Sequence, residues 1–121
     1  MTPQFFTDEN NRMMVMAIDG CGTVDTFTRL EPNTSEGAAE KHLPVVERTG
    51  DSLTVKVGSV YHPMGVEHSI GWIYLETEKG GQLRCMSSEG EPVAEFRIAP
   101  DDTPVAVYAY CNLHGLWKTV L

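Results

Sequence analysis

Four histidines and one cysteine are the residues of this 121-residue chain whose side chains could bind a transition metal together. Cys111 and His114 lie three positions apart in the apolar segment AYCNLHGLWK, and the other histidines are His42, His62 and His68. Thiolate sulfur and imidazole nitrogen are ligands of zinc, copper and iron in proteins. Any one of these residues alone is more often a packing or surface residue, so a metal site requires a fold that brings all five together.

The number and type of these donors favour iron over the other two metals. Four imidazoles and one thiolate are too many ligands for a tetrahedral structural zinc site. Blue copper uses two histidines, a cysteine and a weak axial methionine, but the segment LWKTV that follows the Cys-x-x-His pair and Gly115 contains no methionine. Four nitrogens in a plane with a sulfur on the axis suit iron and leave a sixth coordination position open.

The elements that must position these residues are predicted to be short β-strands. In SLTVKVG the apolar residues Leu53, Val55 and Val57 alternate with polar ones, and VAEFRI shows the same period of two. SIGWIYLE and PVAVYAY are apolar on both faces, which is typical of strands inside a core, and Cys85 is expected to be a buried thiol on another strand. Turns rich in glycine, proline and aspartate separate the segments, so the pattern predicts a small β-sandwich. Each histidine lies where a predicted strand meets a loop.

Only one segment, NTSEGAAEK, has helical signals. Its first three residues, Asn33 to Ser35, are candidate N-caps, and Pro44 limits the helix to about one turn. The preceding segment RLEPNT is typical of a linker. The chain is therefore predicted to divide into an N-terminal piece, residues 1–36, and a sandwich, residues 37–121.

Charge and composition exclude several classes of partner. The net charge is −8 and the nine lysines and arginines are scattered singly, so neither nucleic acid nor an anionic membrane surface is an expected partner. No apolar run reaches the ~18 residues of a membrane span, and the N-terminus lacks the pattern of a signal peptide. Three widely spaced cysteines do not form a disulfide framework. We therefore expect a cytoplasmic protein.

Three segments of the sequence carry a resemblance to a known family. EKHLPV, VGSVYHPMGVEHSIGWI and YCNLHGLWK resemble, in this order, the signatures of the desulfoferrodoxin and neelaredoxin family, the non-haem iron superoxide reductases. The resemblance extends almost continuously over residues 37–121. It implies an all-β fold, namely an immunoglobulin-like seven-stranded β-sandwich with a small N-terminal β-rich appendage. It also implies one-electron reduction of superoxide to hydrogen peroxide.

The resemblance further implies the roles of individual residues. It identifies the equatorial iron ligands as His42, His62, His68 and His114. Cys111 matches the axial thiolate ligand. Glu40 matches a glutamate that can occupy the sixth position in the oxidised resting state, and Lys41 matches a lysine that places a positive charge beside the open position.

The N-terminal segment departs from the longer members of this family. Those proteins begin with a module whose four cysteines, a Cys-x-x-Cys pair and an adjacent Cys-Cys pair, bind a second iron. Here only Cys21 remains, Gly20 stands beside it, and Thr7 and Asn10 replace the first pair. One thiolate cannot hold an FeS₄ centre. Residues 1–36 are therefore predicted to be a degenerate module, and the chain to bind one iron with no second FeS₄ centre.

The partners are also implied by the resemblance. They are superoxide as the substrate, a rubredoxin-like or other small protein as the electron donor, and further copies of the chain in a dimer or tetramer. The alternative function on the same sandwich is a non-catalytic iron-binding or electron-transfer module. Such a module would need neither an open coordination position nor a charged loop beside it, so Glu40 and Lys41 favour the enzyme.

Overall fold

The computed structural model describes residues 2–10, 14–17 and 26–121 of the chain. These residues fall into two compact units, Met1–Glu31 and Pro32–Leu121. Among them no helix is both long and apolar enough to cross a membrane.

The N-terminal unit contains a three-stranded antiparallel sheet with the strand order β2-β1-β3. Its strands are β1 (Gln4–Thr7), β2 (Met14–Ala17) and β3 (Thr28–Leu30). Phe5 and Phe6 of the central strand are buried. The predicted β-rich appendage is thus confirmed, whereas the predicted relic cysteine, Cys21, and its neighbour Gly20 lie outside the described residues.

The second unit is the predicted seven-stranded sandwich. Its strands are β4 (Pro44–Thr49), β5 (Ser52–Val57), β6 (Ile70–Thr77), β7 (Gly80–Cys85), β8 (Val93–Arg97), β9 (Pro104–Cys111) and β10 (Gly115–Val120). One antiparallel sheet has the order β10-β9-β6-β7 and the other the order β4-β5-β8. Two antiparallel sheets of four and three strands are the arrangement of an immunoglobulin-like sandwich.

The core follows the hydrophobic periodicity of the sequence. In β5 every second residue is buried, and Leu53 pairs with Phe96 of β8 across the sheet. β6 and β9 lie in the middle of their sheet, so they are buried along most of their length on both faces. The prediction for Cys85 is wrong, because β7 is an edge strand whose residues are nearly all exposed, Cys85 among them.

Strand pairing sends the five candidate ligands to one end of the sandwich. Ile70 pairs with Cys111 at one end of the β6–β9 ladder, and Cys111 pairs with Gly115 of β10. In the other sheet, Pro44 pairs with Val57. We call this end the site pole, because it contains the start of β4, β6 and β10 and the end of β5 and β9. The turns at 50–51, 78–79 and 101–102 lie at the opposite end, the far pole.

The single helical turn begins later than its sequence signals predicted. Helix α1 comprises Ala39–His42, and Ala38 occupies the N-cap position without a side-chain hydrogen bond. The predicted N-caps Asn33 to Ser35 are therefore wrong. Gly37 has a φ of 151°, which is incompatible with a helix passing through it, and Asn33 hydrogen bonds to β10 instead.

Candidate metal centre

The five residues predicted to bind a metal converge at the site pole. One potential ligand atom from each of them lies within 4.8 Å of those of all the others. His42, His62 and Cys111 are buried, and the other two are partly buried. The five residues are His42, His62, His68, Cys111 and His114.

His42 is oriented from both sides of its ring. It is the last residue of α1, and its Nδ1 lies 2.7 Å from the carbonyl oxygen of Ala38. The ring stacks on Trp117, with centroids 4.9 Å apart. Because Nδ1 donates its proton to a carbonyl, Nε2 of a neutral ring has a free lone pair. This Nε2 lies 3.1 Å from Nδ1 of His114.

His62 and His68 each direct one ring nitrogen into the cluster. The backbone N–H of His62 donates to Val57 at the end of β5, and its Nδ1 donates to the carbonyl of Pro63 at 2.7 Å. The tight turn that follows brings His68 back, since Gly65 N–H donates to the carbonyl of His68 at 3.0 Å. The Nε2 atoms of both rings are buried and have no hydrogen-bond partner among the described residues.

Cys111 and His114 border the turn between β9 and β10. Sγ of Cys111 lies 3.8 Å from Nδ1 of His114. The Nε1–H of Trp117 donates to the carbonyl of His114 at 3.0 Å, which fixes the end of this turn that leads into β10. Backbone N–H groups of Leu113 and His114 hydrogen bond to the sulfur, and such bonds tune its donor strength.

Asn112 is a site residue that the sequence interpretation missed. Its Oδ1 accepts the N–H of Ser69 at 3.0 Å, and its Nδ2 donates to the carbonyl of Glu67 at 2.8 Å. The amide therefore ties the Cys-x-x-His turn to the two residues that flank His68. The signal in the sequence is an asparagine between two candidate ligands, but its partners lie more than forty residues away along the chain.

Burial favours the neutral form of His42, His62 and His68. It lowers the pKa of His62 from 6.5 to about 4, and it also lowers the pKa of His42 and His68. Neighbouring imidazoles lower these pKa values further, and so does the positive charge of Lys41 for His42 and His68. Neutral imidazole is the form that binds metals.

The same burial disfavours a free thiolate. It raises the pKa of Cys111, against the opposing effect of the two backbone hydrogen bonds. A buried thiolate at this position is therefore favoured only when a cation is bound next to it.

The arrangement of these side chains is more favourable with a bound metal ion than without one. Two buried nitrogens, Nε2 of His62 and of His68, lack partners among the residues that the structure describes, and an unsatisfied buried polar atom costs about 1–3 kcal/mol. A cation bound by all five atoms removes both penalties, and four nitrogens with one sulfur are a donor set that suits iron. The nearby sulfur of Met64 instead accepts the N–H of Ile70 at 3.4 Å.

Glu40 and Lys41 are exposed residues of α1, immediately before His42. The helix is held against the loop after β5, because the carbonyl of Glu40 accepts hydrogen bonds from Val60 N–H at 3.0 Å and Ser59 Oγ at 3.2 Å. A Cβ atom at Gly58 would lie 2.6 Å from the same carbonyl oxygen. Both residues thus lie on an element of fixed position that ends at His42.

Comparison with known proteins identifies relatives of this chain. Residues 34–120 match the family model described as Desulfoferrodoxin. The desulfoferrodoxin of Clostridium acetobutylicum is 36% identical over 118 residues, which cover 93% of this chain and 92% of that protein. The superoxide reductase of Pyrococcus horikoshii is 35% identical over 96 residues, which cover 65% of this chain and 84% of that protein.

A solved structure resembles the whole chain. The superoxide reductase from Treponema pallidum superposes with a TM-score of 0.86 at 36% sequence identity, and the match covers 98% of this chain and 99% of that chain. The superoxide reductase (1Fe-SOR) from Giardia intestinalis matches with a TM-score of 0.58 at 31% identity, covering 68% of this chain and 97% of that chain. On the sequence match over residues 34–120 and this shared fold, the chain belongs to the desulfoferrodoxin family.

Proposed function

We propose that this protein is a superoxide reductase, with one iron bound by His42, His62, His68, His114 and Cys111. The reaction consumes one superoxide, one electron and two protons and yields one hydrogen peroxide. The observation that carries the proposal is the convergence of four imidazoles and one thiol within 4.8 Å. Relatives named superoxide reductase support the choice of reaction.

The iron, when bound, supplies the electron to superoxide by changing between the ferrous and ferric states. The chain's own residues set the charge around it. Four neutral imidazoles and one thiolate carry a single negative charge, so the centre is cationic with a divalent ion. The N–H groups of Leu113 and His114 stabilise negative charge on the sulfur.

Lys41 is proposed to attract the substrate anion. It is exposed, and its charge acts on His42 and His68. Charges separated by less than the screening length of ~8 Å interact at physiological salt. A local cation can therefore attract superoxide even though the chain as a whole has a net charge of −8.

Glu40 is proposed to act as a reversible ligand of the oxidised centre. Its backbone is held by Ser59 and Val60, while its side chain is exposed next to Lys41 and His42. A carboxylate in this position can approach the cluster from the solvent side and protect the resting protein from other anions.

An exposed apolar surface at the site pole supports a small electron-carrier protein as the donor. We call this surface the apolar collar. It consists of Leu43, Val60, Tyr61, Val66 and Leu113, whose exposure ranges from 36% for Leu43 to 90% for Val66. Every member lies within two positions of a ligand histidine. Exposed apolar clusters of this kind mark docking sites, and a rubredoxin-like donor seated there would be close to the iron.

A pair of matched variants tests the docking role of the collar. Val66→Asp should slow reduction of the ferric protein by a rubredoxin, while reduction by a small chemical reductant stays unchanged. Val120→Asp is the control, because Val120 is 71% exposed but lies outside the collar. Equal rates with rubredoxin for both variants would place the donor elsewhere.

We further propose that residues 1–36 form a degenerate module without a second iron and that this module contributes to a dimer or tetramer. The described replacements for the first ligand pair, Thr7 and Asn10, have no thiol. Sedimentation of the chain with and without residues 1–31 would test the oligomeric role.

The free thiols Cys85 and Cys111 suit a reducing compartment, which supports a cytoplasmic location.

The function is tested by metal analysis followed by pulse radiolysis. We expect one iron per chain, and rapid oxidation of the ferrous protein on exposure to superoxide without production of oxygen. Two irons per chain would contradict the interpretation of residues 1–36. Iron-loaded protein that is inert towards superoxide would instead identify a non-catalytic iron-binding or electron-transfer module.

A further inference from the structure

One side chain attaches the segment before α1 to the edge of the four-stranded sheet. β10 is an edge strand, and the N–H of Asn33 donates to the carbonyl of Leu116 at 2.9 Å. Nδ2 of Asn33 donates to the carbonyl of Lys118 at 3.1 Å, and Oδ1 accepts the N–H of Lys118 at 2.8 Å. The side-chain amide therefore pairs with Lys118 as the peptide of a neighbouring strand would.

The backbone of Asn33 makes this pairing possible. Its φ is 63°, a left-handed conformation that asparagine and aspartate adopt more readily than other residues with a side chain. Position 33 thus requires a residue that has a side-chain amide and also tolerates a positive φ.

From this attachment point the chain runs past two of the ligand residues. We call residues 33–38 the strap. A Cβ atom at Gly37 would lie 3.1 Å from Cε1 of His42 and 3.4 Å from Cβ of His114. Further back, a Cβ at Gly115 would lie 2.7 Å from Oγ of Ser35. The strap therefore contacts two ligand residues, and a Cβ at position 37 would require the His42 ring to shift by a few tenths of an ångström.

The last residue of the strap orients a ligand. The carbonyl of Ala38 accepts the hydrogen bond from Nδ1 of His42 at 2.7 Å. This bond selects the tautomer of the ring and directs Nε2 into the cluster. The orientation of the Ala38 carbonyl depends in turn on how the strap is held.

We infer that Asn33 is a positioning residue of the metal centre. By attaching the strap to β10, it holds Gly37 against the His42 ring and the Ala38 carbonyl against Nδ1 of that ring. Neither Asn33 nor Gly37 supplies a ligand atom. The inference rests on the proposed function only in that His42 binds iron.

The test is the rate of iron release from the ferrous protein to an excess of a ferrous chelator. Loss of a residue that orients a ligand typically weakens metal binding by 10- to 100-fold. Asn33→Ala should therefore release iron about tenfold faster than the parent. Gly37→Ala should be faster still, because its Cβ would lie 3.1 Å from Cε1 of His42 and displace that ring, and because its φ disfavours a side chain.

Gln82→Ala is the matched control. Gln82 also donates a side-chain amide to a backbone carbonyl, that of Arg97 at 2.7 Å, but on a strand that contributes no ligand. Its iron release should stay within about twofold of the parent, even if its melting temperature falls as much as that of Asn33→Ala. A purely structural role for Asn33 predicts equal release from the two variants.

Asn33→Asp provides a second variant in case Asn33→Ala does not fold. Aspartate tolerates the same φ and keeps the acceptor for Lys118 N–H but lacks the Nδ2 donor. It should release iron at a rate between those of the parent and Asn33→Ala. Release from the Asn33 variants no faster than from Gln82→Ala would overturn the inference. Failure of the proposed reaction would appear separately, as iron-loaded parent protein that does not react with superoxide.

Discussion

Polar and apolar side chains are arranged in opposite ways at the two poles of the sandwich. At the far pole, charged residues of turns and strand ends are paired on the surface, as Lys79 is with Asp101 at 2.5 Å and Arg97 with Asp51 at 3.2 Å. At the site pole, the Nε2 atoms of His62 and His68 are buried without a partner in the described part of the chain, while the leucines and valines of the apolar collar are exposed.

This difference separates the residues that stabilise the fold from those that serve the reaction. Buried unpaired nitrogen and exposed apolar area each oppose stability in the isolated chain. Both become favourable when a cation and a partner protein are bound. Substitutions at the site pole should therefore change metal binding and reactivity. Substitutions in the core should change the free energy of unfolding but not metal binding, and substitutions of exposed residues at the far pole should change neither.

The largest expected effect is that of Cys111→Ser. Replacement of the thiol should remove the sulfur-to-iron absorption of the ferric protein and abolish reaction with superoxide, because serine cannot supply a thiolate. Cys85→Ser is the matched control, since Cys85 is exposed on β7 and should leave both properties unchanged. Optical spectra and pulse radiolysis measure the two effects. Bleaching by Cys85→Ser with normal colour in Cys111→Ser would reverse the assignment of the sulfur ligand.

Leu53→Ala should show the opposite pattern. Leu53 is 1% exposed and pairs with Phe96, so its truncation leaves a cavity and should lower the free energy of unfolding by about 3 kcal/mol. Iron content of the folded protein should stay at that of the parent. Leu83→Ala, at an exposed position on β7, should cost less than about 0.5 kcal/mol in denaturant unfolding. A large loss of iron in folded Leu53→Ala would mean that core and site are not separable.

The sequence predicted the fold and the candidate metal site as far as they depend on local pattern. Alternation identified the buried residues of β5, and each candidate ligand lies beside a strand end, where antiparallel pairing brings such ends together. What it could not predict depends on contacts between distant segments. Cys85 was expected to be buried because nothing local identifies β7 as an edge strand. Asn33 was expected to cap a helix because its local sequence has helix signals, whereas its partner Lys118 lies 85 residues away along the chain.

The metal-free protein should lose stability as the pH falls from about 6.5 towards 4. The folded state holds the pKa of His62 at about 4, below the 6.5 of an exposed histidine. In that window the unfolded chain binds more protons, so acidification favours unfolding; above it the stability is complete. Denaturant unfolding between pH 7 and pH 5, above the range in which ordinary carboxyl groups titrate, measures the slope.

His62→Gln supplies the control for this pH dependence. Glutamine does not titrate, so the variant should show a smaller loss of stability over the same interval. The remaining slope comes from His42 and His68, whose pKa values burial also lowers. A metal-free parent protein whose unfolding free energy is flat between pH 7 and pH 5 would contradict the lowered pKa values.

The smallest expected effect compares two exposed lysines at opposite poles. Lys41→Ala should slow the second-order reaction with superoxide several-fold, up to about tenfold, and weaken its dependence on ionic strength, because a nearby cation raises the local concentration of the anion. Lys79→Ala removes the same charge at the far pole, where Lys79 pairs with Asp101. It should leave the rate and the salt slope within error of the parent. The net charge changes equally in the two variants, so only position distinguishes them. Pulse radiolysis at several salt concentrations measures both, and equal rates for the two variants would show that Lys41 exerts no local attraction on superoxide.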